Sequence, residues 1–205
     1  MKGKKLSLSF YDRRNVLMIA YELLGKVLLS SCDNNITAGR IVETEGYKSV
    51  NDSASHAYGG RRTARNEDMY GRPGTSYVYV CYGVHNMMNV VTNKRGIPDA
   101  ILIRAVEPLV GLDIMLKRAG KKDGDVSVSS GPGNLSRALG ISKEISGLSL
   151  FGNLLYILDD GFSFADNRIG ISKRIGVEGA GYPDADYPYR FYIKGNAYVS
   201  GYPKK

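Results

Sequence analysis

Residues 26–47 read KVLLSSCDNNITAGRIVETEGY, and the fold turns on them. Two apolar runs of strand composition flank Asp33, Asn34 and Asn35, a polar trio suited to reversing the chain, so the stretch reads as an antiparallel hairpin. Its second strand closes on IVETEGY, where Glu43 and Glu45 stand with one residue between them ahead of Gly46 and Tyr47. Alternation along a strand puts Ile41, Glu43 and Glu45 on one face and Val42 and Thr44 on the other. Two like charges on one face are harmless on a solvated edge. Beside a pocket they are expensive, and such a cost persists where charge has a use. Taken alone, Glu45 reads more readily as a surface charge at a strand end.

Upstream, Asp12 is a candidate N-cap for a helix through RRNVLMIAYELL, with Val16, Ala20 and Leu23 at helical spacing and Gly25 as its stop. Downstream, KSVNDSASHAYGGRRTARNEDMYGRPG is polar, glycine-bearing and as long as two ordinary loops, a length that marks function or disorder. TSYVYVCYG and NMMNVVTN read as strands joined around Gly83, Val84 and His85, and AILIRAVEP as a third. GLDIMLKRAG and PGNLSRAL read as short helices, the second with Pro132 in its first turn. LLYIL and RIGISKRIGV are strand-like. Strands grouped with peripheral helices, rather than strict βαβ alternation, argue an α+β class.

The chain has 205 residues, of which 43% are hydrophobic, enough for one domain with a substantial core. Its net charge of +8 favours an anionic partner, nucleic acid first and an acidic membrane surface second. Cys32 and Cys81 sit in apolar runs without CxxC spacing and read as buried reduced thiols, which suits a reducing compartment. The N-terminus lacks the apolar core of a signal peptide, and no run approaches a membrane span. The expectation is a soluble intracellular protein: cytoplasmic, nucleoid-associated if bacterial, nuclear if eukaryotic. His56 and His85 form no familiar ligand set with the cysteines, so no metal is expected. Neither a GxxxxGK[ST] loop nor a GxGxxG turn is present, so no cofactor is expected either.

In Tyr77-Val78-Tyr79-Val80-Cys81-Tyr82, alternation puts Tyr77, Tyr79 and Cys81 on one face and leaves Tyr82 at the hairpin tip. Tyrosine has high strand propensity and the chain has 15 of them, so packing alone explains much of this. The functional alternative is that Tyr82 wedges between stacked bases while Tyr79 faces a pocket for an unstacked one.

Taken together, RIVETEGY, DSASHAYGGRRTARNEDMY, RPGTSYVYVCYGVHNMMNVV, ILIRAVEP, SSGPGNLSRAL, RIGV and YRFYIKGNAYVS resemble the alkyladenine (3-methyladenine) DNA glycosylase family, in one order from Tyr11 to Ser200. Gly46 stands where alanine is common in that family, Tyr70 where phenylalanine is common, and Val84 is a position that varies. The resemblance implies a single domain over 1–205, with 1–10 flexible. It further implies a curved, mostly antiparallel sheet with peripheral helices and a protruding β-hairpin. The implied activity flips an alkylated or deaminated purine (3-methyladenine, 7-methylguanine, hypoxanthine, ethenoadenine) out of duplex DNA and hydrolyses its N-glycosidic bond. It leaves an abasic site, has no lyase step and is the work of a monomer.

By the same resemblance, Glu45 positions and deprotonates the attacking water and steadies the oxocarbenium-like sugar. Arg104 and the main-chain carbonyl of Ile175 help hold that water. Tyr47, His56 and Tyr79 box the flipped base, the His56 N–H favours an acceptor at purine position 6, and Asn89 clashes with the amine of normal guanine. Tyr82 fills the vacated stack. Val84, His85, Arg61 and Arg62 are expected to contact the DNA, with Arg65 beside them, although a charge run is usually a solvated face. Glu43 reads as a structural carboxylate. Two other readings compete: a nucleic-acid-binding module without chemistry, and a carbohydrate hydrolase using Glu43 and Glu45. The second is weak, because both carboxylates point the same way instead of flanking a bond.

Overall fold

A computed structural model describes residues 2–201. Its strands are β1 (Lys4–Lys5), β2 (Val27–Cys32), β3 (Asn35–Tyr47), β4 (Ser76–Cys81), β5 (His85–Thr92), β6 (Asp99–Val110), β7 (Leu155–Asp159), β8 (Ile169–Ser172) and β9 (Arg190–Ile193). They form one curled sheet in the order β1-β7-β2-β3-β6-β5-β4, with β9 joining β3 to β8 and every pairing antiparallel. The helices α1 (Leu8–Tyr11), α2 (Val16–Glu22), α3 (Leu112–Ala119) and α4 (Pro132–Leu139) lie at its periphery, so the class is α+β as expected. Lys4 and Lys5 pair with Asp159 and Leu158, and Leu6 is buried.

The hairpin of the opening stretch forms with Cys32 opposite Asn35, leaving Asp33 and Asn34 as a two-residue turn at φ +52° and +59°. Both residues tolerate that left-handed backbone, whose twist matches the flanking strands. β3 then shares one edge between two partners, β2 as far as Arg40 and β9 from Glu43 to Glu45, while β6 takes the other edge.

Simple alternation fails at one point. Register shifts flank Glu43 in the β3–β6 ladder, and Ile41 and Val42 both reach the main core. Ile41 therefore parts from Glu43 and Glu45, because a bulge turns the strand before the carboxylates begin.

The two faces of the sheet have separate fillings. α2, α3 and α4 close the main core on one face, with Val78, Val90 and Ile101 pointing into it. On the other face Tyr77, Val91 and Ala100 meet Ala57, Met69 and Tyr70 from the long polar segment, which is folded onto the sheet by three short 3-10 turns. Asn66 does much of that tethering. Its side-chain amide donates to the carbonyls of His56 and Arg61, both at 2.9 Å, and its oxygen accepts from the Thr63 N–H at 2.7 Å.

Three local expectations change. The cap of α2 is Asn15, which accepts from the Met18 N–H at 3.1 Å, while Asp12 ends α1 instead. The strand expected over RIGISKRIGV stops at Ser172, since Arg174 and Ile175 leave the sheet to bind Asp52 and Glu45. Cys32 and Cys81 are free thiols but half-buried, each being the last residue of its strand.

Candidate active site

Past the bulge, Glu43, Glu45 and Tyr47 turn toward the face covered by the long segment, while Thr44 points back and donates to the Ala20 carbonyl at 2.8 Å. Both carboxylates are 0% exposed, so Glu45 is not a surface charge. Burial of a charge demands partners, and the two find different ones.

Oε1 of Glu43 accepts from Nε of Arg104 at 2.8 Å, Nε of Arg190 at 2.7 Å and the Ser200 hydroxyl at 3.0 Å, while its Oε2 accepts from the Ser200 N–H at 2.8 Å. Oε1 of Glu45 accepts from the Ile175 N–H at 2.8 Å and pairs with Nη1 of Arg104 at 3.2 Å, and its Oε2 accepts from the Tyr47 hydroxyl at 2.9 Å. Burial pushes the Glu45 pKa above the ordinary carboxylate range against the pull of Arg104, Ile175 and Tyr47, and the charge on Glu43 adds to the rise. A carboxylate poised upward in this way is a stronger base than one on the surface.

The Tyr47 ring is clamped from one side. The Arg174 guanidinium lies 4.7 Å from its centre and makes a two-pronged ion pair with Asp52, with Nη2 at 2.8 Å from Oδ1. Nη1 also reaches the Gly46 carbonyl and Nη2 the Asp184 carbonyl, each at 3.0 Å. Tyr47, Ala54, His56, Met69, Tyr77, Tyr79, Asn89 and Ala100 line a narrow cleft. His56 and Tyr79 meet edge to face at 4.5 Å, and Nδ1 of His56 lies 2.8 Å from the Tyr77 hydroxyl. Burial first, then the nearby charges of Arg65 and Arg61, lower the His56 pKa, so the imidazole is neutral at neutral pH. The amide of Asn89 is fixed by donation to the carbonyls of Met87 at 3.0 Å and Tyr77 at 3.2 Å.

Residues 82–84 join β4 to β5 beyond the Cys81–His85 pair. Tyr82 is 89% exposed and holds φ at +50°, a backbone that costs a bulky residue about 1–3 kcal/mol. Val84 is exposed beside it. His85 is half-buried, its ring so close to Gly133 in α4 that a Cβ there would lie 2.8 Å from Nδ1. Arg61 is exposed at the rim of a second, polar cavity of about 290 Å³ that shares Ala54 and His56 with the cleft. Arg62 is tied to Glu67, Nε to Oε2 at 2.8 Å, so a phosphate contact from it competes with that pair.

The structure thus brings Glu45, Arg104, Ile175, Tyr47, His56, Tyr79 and Asn89 into one place and leaves Tyr82 and Val84 on the adjoining loop. Ile175 meets Glu45 through its N–H, a contact that the expectation about its carbonyl did not include. Sequence reasoning missed Asp52 and Arg174, which back the Tyr47 wall, and gave no site role to Tyr77, which lines the cleft. Arg174 stands beside Ile175 in RIGV, the one local signal that could have found it. Among the described residues no three His, Cys, Asp or Glu side chains gather as a metal site requires.

Comparison with known proteins identifies the family. The profile of the methylpurine-DNA glycosylase family matches residues 9–197. A Desulfitobacterium hafniense protein provisionally named 3-methyladenine DNA glycosylase is 43% identical over 204 residues, covering 96% of this chain and 98% of the relative. A Clostridium acetobutylicum protein with the same provisional name is 42% identical over 206 residues, covering 96% and 97%. No helix among the described residues is long and apolar enough to cross a membrane. The chain belongs to the methylpurine-DNA glycosylase family and is a DNA glycosylase of base excision repair.

Proposed function

We propose that this chain, as a monomer acting on nucleoid DNA, flips an alkylated or deaminated purine from the duplex into the aromatic cleft and hydrolyses its N-glycosidic bond without a lyase step. The observation that carries this reading is Glu45: a fully buried carboxylate with a raised pKa, held by two donors at 2.8 and 2.9 Å and an ion pair with Arg104 at 3.2 Å, beside a cleft walled by Tyr47, His56 and Tyr79.

In this reading the proton of a water passes to Glu45 as the water oxygen bonds to C1′, and the C1′–N bond breaks with its electron pair leaving on the purine. Until it takes that proton, the negative charge of Glu45 offsets the positive charge that develops on the sugar. Stacking on an aromatic ring is worth about 1–3 kcal/mol per contact, comparable to the few kcal/mol spent on flipping. A neutral His56 places no cation against 3-methyladenine or 7-methylguanine, which are cationic as nucleotides, and the proposed range extends to hypoxanthine and ethenoadenine. The fixed amide of Asn89 opposes the amine of normal guanine. Tyr82, exposed and held in a strained backbone, suits the gap left in the stack.

The test is excision from duplexes carrying one hypoxanthine or one methylated purine, followed by alkaline cleavage. Wild type should break the strand and Glu45→Gln should not. Equal breaks with both proteins would show that Glu45 is not the base, and no breaks with either would leave a binding module. Borohydride should trap no protein–DNA adduct, since the reactive centre holds a carboxylate and no amine. A robust adduct would overturn the hydrolytic mechanism.

A further inference from the structure

The two oxygens of Glu45 are not equivalent. A carboxylate oxygen accepts about two hydrogen bonds. Oε1 has two partners: the Ile175 N–H donates to it at 2.8 Å, and Nη1 of Arg104 is ion-paired with it at 3.2 Å. Among the described residues Oε2 has a single partner, the Tyr47 hydroxyl at 2.9 Å, and so keeps a lone pair open. Tyr47 is also the wall of the cleft that Arg174 grips from behind, at 4.7 Å from the ring centre.

We infer that Tyr47 is a positioning residue for the hydrolytic step as well as a wall for the base: its hydroxyl aims Oε2 of Glu45, the oxygen that takes the water's proton, and keeps it ionised. The inference rests on the proposed glycosylase reading and deepens it. One side chain then ties the surface that holds the purine to the atom that starts its removal, so a base that displaces the ring also disturbs the base catalyst.

The phenol is suited to this work. It is buried, and burial together with the charge on Glu45 holds its pKa well above the usual tyrosine range, so it remains a donor throughout the range in which DNA is intact. The other groups facing Glu45 are Arg104 from β6, Glu43 on its own strand, Arg190 opposite it on β9, Tyr79 from β4 and Arg174 behind Tyr47. None of these donates to Oε2. Removing the Tyr47 O–H therefore removes the one hydrogen bond, among the described residues, that favours the charged form at that oxygen.

The test is single-turnover excision of hypoxanthine across pH by wild type and Tyr47→Phe, with the flipped state followed separately by the fluorescence of ethenoadenine in duplex DNA. Phe keeps the ring and its contact with Arg174. The acid limb of the rate should move to higher pH in Tyr47→Phe, so that the ratio of variant to wild-type rate falls about tenfold from the plateau into the acid limb, one pKa unit being a tenfold change. Flipping should change by no more than about twofold, since stacking area is retained. Difluorotyrosine at position 47, a more acidic phenol and a stronger donor, should move the limb the opposite way, and it decides the matter if Tyr47→Phe does not fold. Wild-type excision with acid limbs that coincide in all three proteins would overturn the inference alone. Absence of wild-type excision would overturn the glycosylase reading together with it.

Discussion

Glu43 and Glu45 lie two residues apart on one strand, on one face, both at 0% exposure, yet their surroundings make them different groups. Glu43 sits between two guanidiniums, Arg104 and Arg190, with Ser200 closing the cage from N–H and hydroxyl. Glu45 shares only Arg104 with it, takes neutral donors from Tyr47 and Ile175, and opens on an aromatic cleft. Equal burial therefore does not mean equal chemistry. The number of compensating charges and of unused lone pairs decides which carboxylate is structural and which is poised to act.

The sharpest way to break that contrast is to neutralise each in turn. Glu45→Gln is expected to lower single-turnover excision by about 10²–10⁴-fold, the usual worth of a positioned base. Glu43→Ala leaves Arg104 and Arg190 buried without their shared partner, and breaking such a pair costs about 3–5 kcal/mol. Urea unfolding of the two variants should separate them: a large loss of stability in Glu43→Ala, none in Glu45→Gln. If the two variants lost stability alike, the cage and the cleft would not be distinct.

A pH series sharpens the same point. The folded-state pKa of Glu45 is raised, so the protonated form is favoured by folding. Its contribution to stability is fully present below the unfolded-state pKa and is lost as pH rises through the folded one. Under the proposed mechanism excision is expected to run the other way, rising with pH as Glu45 ionises. The stability of wild type relative to Glu45→Gln should therefore fall over the pH window in which wild-type excision climbs. Two windows that failed to overlap would assign the acid limb to another group.

The smallest effect lies outside both regions. Tyr82→Ser should shorten the lifetime of the flipped state by about 5–150-fold, the worth of one base–aromatic contact. It should leave the melting midpoint nearly unchanged, since the side chain is exposed and surface changes are usually within about 0.5 kcal/mol. A fall in the hydrolytic step with an unaltered flipped state would remove the wedge role.

Much of this was legible in one dimension. The Asp33–Asn34 turn, the hairpin ending at Tyr82, and the helices bounded by Gly111 and Pro132 are local, and each is written in residues that favour one backbone geometry. The blocks around Glu45, His56, Tyr79, Asn89 and Arg104 pointed to one family and named the side chains that now stand together. The bulge beside Glu43 was not legible, because nothing in IVETEGY distinguishes a regular strand from one that must pass from β2 to β9 along the same edge. Asp52 and Arg174 were not either: they pair across 122 residues, and apart they read as an ordinary loop acid and base.

The sequence by itself determined most of the elements, the class and the family, since periodicity, turn chemistry and ordered motifs are properties of neighbouring residues. Only the tertiary structure decided that Glu43 is caged and Glu45 poised. The Ile175 N–H that holds Glu45 comes from 130 residues away, and Arg104 and Arg190 arrive on other strands. Burial, counter-charge and a free lone pair arise from which segments meet, and a carboxylate in a string of letters carries none of them.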